Sequence, residues 1–350
     1  MKADQTNGKR RTGRRRLGVR VLQAVAGSVA VLGLVGVSAR AADEPVRDVG
    51  AETATHVEVD PLPVHFQRLS CLRTTPGGLL AAGDERAREI KILDPSGKVV
   101  RTLRLPFAPE ALCYAPDGSL YCGGEGQLAH LSADGQILHR AAMPETARTP
   151  PSQLRRMARR PVRLSGLAVS DDAVFIAFGS GWSLGSKSKL FRFTRQLTEP
   201  RLLAEGLRGC CQRCDIVFHD GVLYVAENAA HRVVRYAPDG RVLGKWGARS
   251  RTELSGFGSC CNPMNLAFGP DGSLYTAESG LGRVKRYTPD GKFLGLVGYV
   301  GTARFTRAGH LAASCSNIAI AVSPHARRVY VLDYKENLVR VLERKGSRTP

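Results

Sequence analysis

Two stretches of this chain are near copies of each other. Residues 211–247 read CQRCDIVFHDGVLYVAENAAHRVVRYAPDGRVLGKWG, and residues 261–298 read CNPMNLAFGPDGSLYTAESGLGRVKRYTPDGKFLGLVG. One extra turn residue shifts the offset from 50 to 51, after which Glu227 matches Glu278, Arg232 matches Arg283 and Tyr236 matches Tyr287. A repeat of this length constrains the fold more than any composition does, because each copy must be one supersecondary unit stacked on its neighbours. Within each copy, short apolar runs are separated by Gly and Pro turns, the pattern of successive hairpins. Pro238-Asp239-Gly240 and Pro289-Asp290-Gly291 are hairpin turns by their chemistry, since such turns need residues tolerant of positive φ.

The same grammar recurs along the chain. Pro76-Gly77-Gly78, Pro116-Asp117-Gly118, Asp171-Asp172 and Pro324-His325-Ala326 each separate two apolar runs, giving six units that start near residues 64, 106, 162, 206, 249 and 301. A small antiparallel sheet cannot bury both of its faces alone. Six packed radially around an axis can, and the ring hides most sheet edges. The sequence therefore predicts an all-β, six-bladed β-propeller of four-stranded antiparallel blades. The sixth unit lacks an outermost strand, and His56-Val57-Glu58-Val59 is placed to supply it from the N-terminal side and close the ring. Residues 144–161 have no strand character and read as a surface insertion with a short basic helix at residues 152–160.

The charge is unevenly spread. The chain has 51 Lys and Arg against 31 Asp and Glu, a formal +20. Nine of the basic residues and one acid fall in residues 1–41, leaving +12 for the rest. Residues 1–20 are strongly basic, residues 21–39 carry no charge, and Ala39-Arg40-Ala41 fits a small-x-small cleavage pattern. Together these read as an export signal whose cleavage leaves no membrane span in the mature chain, with an uncleaved anchor as the alternative, since nineteen uncharged residues are nearly long enough to span a bilayer. The organisation expected is a signal peptide at 1–41, a linker at 42–55, the propeller at 56–345 and a tail at 346–350. With 43% hydrophobic and 23% charged residues, wholesale disorder and a multi-span membrane protein are excluded.

The repeated motif Glu227-Asn228-Ala229-Ala230-His231-Arg232-Val233-Val234-Arg235-Tyr236, and its copy from Glu278 to Tyr287, resembles the NHL repeat, with a degenerate version from Asp333 to Val341. The resemblance implies the six-bladed ring and says little about activity, because propellers host enzymes and inert scaffolds alike.

Nine cysteines follow the signal, six of them in the segments GCCQRCD, SCCNPMN and SCSN. Cys211, Cys261 and Cys315 occupy one equivalent position, and Cys210 and Cys260 another, all where the chain enters an innermost strand. With Cys214 they are expected at one mouth of the channel. Three states of such thiols are open. Disulfides are the default outside the cytoplasm. A thiolate-bound metal (Zn, Cu or an iron–sulfur cluster) tolerates wider spacing, with His310 as a possible nitrogen ligand. Free thiols packed as small hydrophobes are the third. Cys113 and Cys122 flank the turn at Asp117-Gly118 as candidate cross-strand neighbours.

Asp215 and Asn265 begin adjacent inner strands. Propeller lactonases hold a divalent cation through such oxygens, which makes a channel Ca site one reading. Turn formers bonding their own backbone are the other. The function expected is an exported binding or interaction module, taking a protein or small-molecule ligand at the cysteine-lined mouth. The alternatives are a metal-dependent or electron-transfer protein using the thiols, or a lactonase-like hydrolase. Mixed charge along every blade and the export signal argue against nucleic acid as the partner.

Overall fold

The structure is a computed structural model, and it describes residues 50–144, 163–179, 187–210, 213–250, 252–259, 261–301 and 318–346. These residues form six four-stranded antiparallel sheets, as the repeats predict. Blade 1 comprises Leu69–Thr74, Leu80–Asp84, Glu89–Leu93 and Val99–Arg104, from the innermost strand outward. Blade 2 comprises Ala111–Tyr114, Leu120–Gly124, Gln127–Leu131 and Ile137–Ala142. Blade 3 comprises Arg163–Val169, Ala173–Gly179, Lys187–Thr194 and Arg201–Arg208. Blade 4 comprises Ile216–His219, Val222–Glu227, Arg232–Tyr236 and Val242–Trp246. Blade 5 comprises Asn265–Phe268, Leu274–Glu278, Arg283–Tyr287 and Phe293–Tyr299. Blade 6 takes Ile318–Val322, Arg328–Asp333 and Leu338–Arg344 from the C-terminal end. Its outer strand is His56–Val59, antiparallel with His56 opposite Arg344 and Val59 opposite Val341. The closing strand falls where the sequence places it.

Among the described residues, the inner and second strands carry no exposed residue and are mostly buried, rather than buried on alternate residues. The reason lies in the radial packing. Leu80 and Ala82 of blade 1 join the apolar cluster against blade 6, whereas Ala81 between them joins the cluster against blade 2. Successive side chains point to opposite faces, and in a ring both faces are interior. Each neighbouring pair of blades encloses one such cluster, for example Phe175, Ile216 and Val225 between blades 3 and 4. The outer strands are more open, and there Val57, Val100, Leu138 and Val242 stay half exposed. At the hairpin turn of blade 5, Gly291 has φ +99° and a Cβ there would stand 2.3 Å from Trp246, so this turn accepts glycine alone.

One expected pairing is corrected. Cys113 lies opposite Tyr121, and Cys122 lies opposite Leu112. The one-residue register difference sends the two thiols to opposite faces of blade 2, Cys122 against blade 1 and Cys113 against blade 3. Residues 145–161 of the insertion, the signal segment and the tail beyond residue 346 lie outside the described residues.

Candidate functional site

The inner strands surround a channel, and at their N-terminal ends a ring of polar side chains sews each blade to the next. Ser70 Oγ of blade 1 donates to the Pro109 carbonyl at 2.7 Å. Glu110 Oε2 of blade 2 accepts from the Leu164 amide at 2.7 Å. Ser165 Oγ of blade 3 donates to the Cys214 carbonyl at 3.1 Å. Asp215 Oδ2 of blade 4 accepts from the Leu266 amide at 2.8 Å and from Asn265 Nδ2 at 2.6 Å. Asn265 Oδ1 of blade 5 in turn accepts from the Ile320 amide of blade 6 at 2.8 Å. Blade 6 returns to blade 1 through Asn337 Oδ1, which accepts from the Leu69 amide at 2.7 Å, and at the opposite ends of the two inner strands through Thr74 Oγ1, which donates to the Val322 carbonyl at 2.8 Å. Unpaired polar groups at these buried sites would be costly, so the ring satisfies them pairwise. The two residues singled out in the sequence, Asp215 and Asn265, are brought into direct contact with each other.

Charge enters this ring from across the channel. Arg73 of blade 1 reaches Asp215 Oδ1 of blade 4 with its Nη2 at 3.2 Å, although the two blades stand opposite each other. Arg163 binds Glu110 at 2.9 Å and Glu85 at 2.8 Å. Burial pushes the carboxyls of Asp215 and Glu110 upward, and the arginines beside them offset only part of that. A third guanidinium, Arg213, lies among Arg163, Glu110, Tyr334 and Asp215, and burial draws its pKa below the usual arginine value. No described residue gives Arg213 a side-chain hydrogen bond or an ion pair. A cavity of about 30 Å³ remains in the channel, lined by Arg73, Arg213, Asp215, Glu110, Asn265 and Met264 among others.

The cysteines divide between sites. Cys210 and Cys261, from the approaches to blades 4 and 5, join one buried cluster that includes Met264. Asn228 holds that segment by accepting from the Cys210 amide at 2.7 Å and donating to its carbonyl at 3.3 Å. Cys214 packs between blades 3 and 4, and burial pushes its thiol up. The Cys71 thiol, between blades 1 and 2, is pushed up to about 11 by burial, so it stays protonated and unreactive near neutral pH. Cys71, Cys113, Cys122 and Cys214 form no disulfide. Cys211, Cys260, Cys315 and His310 lie outside the described residues. Among the described residues, no three His, Cys, Asp or Glu side chains converge as a metal-ligand set.

The acids of the repeated motif are structural. Glu227 accepts from the Arg208 amide at 3.0 Å and pairs with Arg232. Glu278 accepts from the Gly258 amide at 2.8 Å and pairs with Arg283 at 2.9 Å. Sequence reasoning did not single out Arg73, Glu110 or Arg213. For Arg213 a signal existed, since it is the one cation inside GCCQRCD. Arg73 carries no local signal, because its partner lies 142 residues away.

The fold and its ring define the molecule as a six-bladed β-propeller. No protein-family model matches the sequence, the NHL repeat included, and no curated protein matches it. Solved structures do. A streptogramin B lyase structure is similar at 14% identity and a TM-score of 0.53, over 83% of this chain and 97% of that one. The calcium-binding protein regucalcin from Agrobacterium tumefaciens is similar at 18% identity and a TM-score of 0.53, over 85% and 97%. A gluconolactonase from Xanthomonas campestris is similar at 15% identity and a TM-score of 0.53, over 81% and 88%. At these identities the likeness is one of fold alone.

Proposed function

We propose that this chain is an exported propeller that binds a ligand or protein partner at the mouth of its channel. The observation that carries the reading is the commitment of the polar ring. Asp215 and Asn265 are engaged in joining blades 4, 5 and 6, and Arg73 already supplies positive charge to Asp215. A divalent cation at Asp215 would have to displace that guanidinium and would face Arg213 as well, an arrangement that like-charge repulsion opposes. The cavity of about 30 Å³ admits about two waters, too little for a sugar lactone inside the channel. Cys71 and Met264 bring sulfur to the channel lining, with Cys210 and Cys261 buried in the apolar cluster that includes Met264. The basic N-terminal segment and the uncharged residues 21–39 support export.

Two measurements test the reading. Mass spectrometry of the protein from its native host should find a mature chain beginning at Ala42. A photo-crosslinking residue at Lys335, on a mouth loop, should give an adduct that excess unlabelled protein competes away. The same group at Val242 on the outer rim should give none. Adducts from Val242 alone would move the contact to the rim. Calcium-dependent lactone hydrolysis by the wild type but not by Asp215→Asn would replace a binding role with a catalytic one.

A further inference from the structure

We infer that the channel holds a specific site for one carboxylate group, with Arg213 as its principal ligand and Arg73 as a second donor. This deepens the binding role above and rests on it. The Arg213 side chain has no partner among the described residues. It lines the channel cavity with residues of all six blades, Cys71, Glu110, Ser165, Asp215, Asn265 and Ala319 among them. That places it near the axis of the ring. The two carboxylates nearest to it are already matched. Glu110 receives Arg163 Nε on Oε1 and the Leu164 amide on Oε2. Asp215 receives Arg73 on Oδ1 and two donors on Oδ2. Arg213 therefore carries five N–H donors into the channel with no described acceptor. A half-buried guanidinium held in a narrow channel with no acceptor among the described residues keeps its fork of donors open to an anion from outside.

Shape and charge fix the kind of anion. A carboxylate presents two oxygens in a plane, the geometry a guanidinium fork meets with two parallel N–H···O bonds. Phosphate and sulfate would bring up to two negative charges beside Glu110 and Asp215 in the same lining, which like-charge repulsion opposes more strongly than it opposes a single carboxylate. The remaining lining suits an uncharged tail, because Met264, Leu72, Leu112 and Ala319 surround the polar floor. Arg73 is placed to follow, since its pairing with Asp215 rests on one contact of 3.2 Å.

The test uses the full chain in carboxylate-free buffer at pH 7.5, with calorimetry and thermal unfolding as readouts. Acetate should give a saturable heat and raise the melting temperature, whereas phosphate and sulfate at equal ionic strength should not. Arg213→Gln should weaken acetate about ten- to hundredfold, the range for losing a charge-assisted hydrogen bond. In the absence of acetate the same variant should melt at or above the wild-type temperature, because it removes a half-buried charge that has no partner among the described residues. Arg213→Lys keeps the charge without the fork and should bind acetate more weakly than the wild type. A short peptide with a free C-terminus and its amidated twin separate the sources. Tighter binding of the free-ended peptide than of acetate assigns the site to a protein terminus, and acetate binding without the peptide assigns it to a small acid. Unchanged acetate binding in Arg213→Gln, equal binding of phosphate, or a lowered melting temperature of the ligand-free variant would overturn the site. Crosslinking at Lys335 that persists in Arg213→Gln would remove the carboxylate site and leave the mouth as the binding surface.

Discussion

At the scale of single residues, the channel turns two apparent ligand candidates into joints between blades. Asp215→Ala would strand the Leu266 amide, Asn265 Nδ2 and Arg73 at once. Removing one member of a buried pair costs about 3–5 kcal/mol, so this variant should lose about that much stability to urea. Asp215→Asn keeps an acceptor for the amide and should lose clearly less. A loss under about 1 kcal/mol for Asp215→Ala, the level of an ordinary exposed pair, would dissolve the joint. A different residue governs the response to acid. His130 is stacked on Tyr121 at 4.1 Å, and neither of its ring nitrogens has a partner among the described residues. Burial, helped by His139 and Arg195, lowers its pKa from 6.5 to about 4, against a weaker opposite pull from Asp117. The unfolded chain takes up this proton near 6.5 and the folded chain does not until about 4. The stability it contributes is thus whole above pH 6.5 and lost as the pH falls towards 4. His130→Phe keeps the stack and removes the titration. Its melting temperature should fall less than that of the wild type between pH 7 and pH 5, and parallel falls in both would show that His130 is not responsible.

At the scale of strands and turns, what is legible in sequence is what is local. Pro-Asp-Gly turns, apolar runs and the repeat offset all act within a dozen residues, and they sufficed to place every blade and the closing strand. Residues 145–162 and 302–317 lie outside the described residues, so the inserted loop and the third cysteine segment add nothing to this comparison. The site was less legible for a physical reason. The contacts that define it join strand starts from different blades, and a side chain such as Ser70, Ser165 or Glu110 looks locally like turn material. Lys285 shows the same limit inside a strand. It stands where blade 4 has Val234, and a reader of RVKRY would turn it outward. In the fold it is fully buried, with Nζ donating to the Leu254 and Gly256 carbonyls at 2.8 and 2.5 Å and pairing with Glu278 at 2.8 Å. Its role is to hold the 252–258 loop against blade 5, and burial lowers its pKa to about 8. The charge pattern of the repeat hides this, because Lys285 exchanges an apolar contact for two carbonyls supplied by the 252–258 loop and the carboxylate of Glu278 on the neighbouring strand.

At the scale of the whole molecule, the ring is closed by four residues that precede everything they pair with. His56–Val59 bonds to Leu338–Arg344, Glu58 pairs with Arg340 at 2.8 Å, and buried His56 reaches the Ala326 carbonyl at 2.9 Å. In blades 1, 2, 4 and 5 the outer strand follows the third through a short Gly-containing turn of the chain itself. The Lys345 amide already donates to the Thr55 carbonyl at 3.0 Å, so the ends of the sixth blade meet as such a hairpin would. A chain beginning at Leu62 would lose a four-residue ladder, each bond worth about 0.5–1.5 kcal/mol net. It would also expose a new sheet edge, and should melt markedly lower or aggregate. Restoring residues 55–60 after Lys345 through an Asp-Gly turn should recover the melting temperature and single transition of the parent. Such recovery would show that the N-terminal strand supplies pairing, and that the order of the chain is incidental to the ring. If the permuted chain stays as unstable as the truncated one, closure depends on the covalent link between His56–Val59 and the residues that lead into blade 1. The propeller would then be held by that connection more than by the sheet it completes.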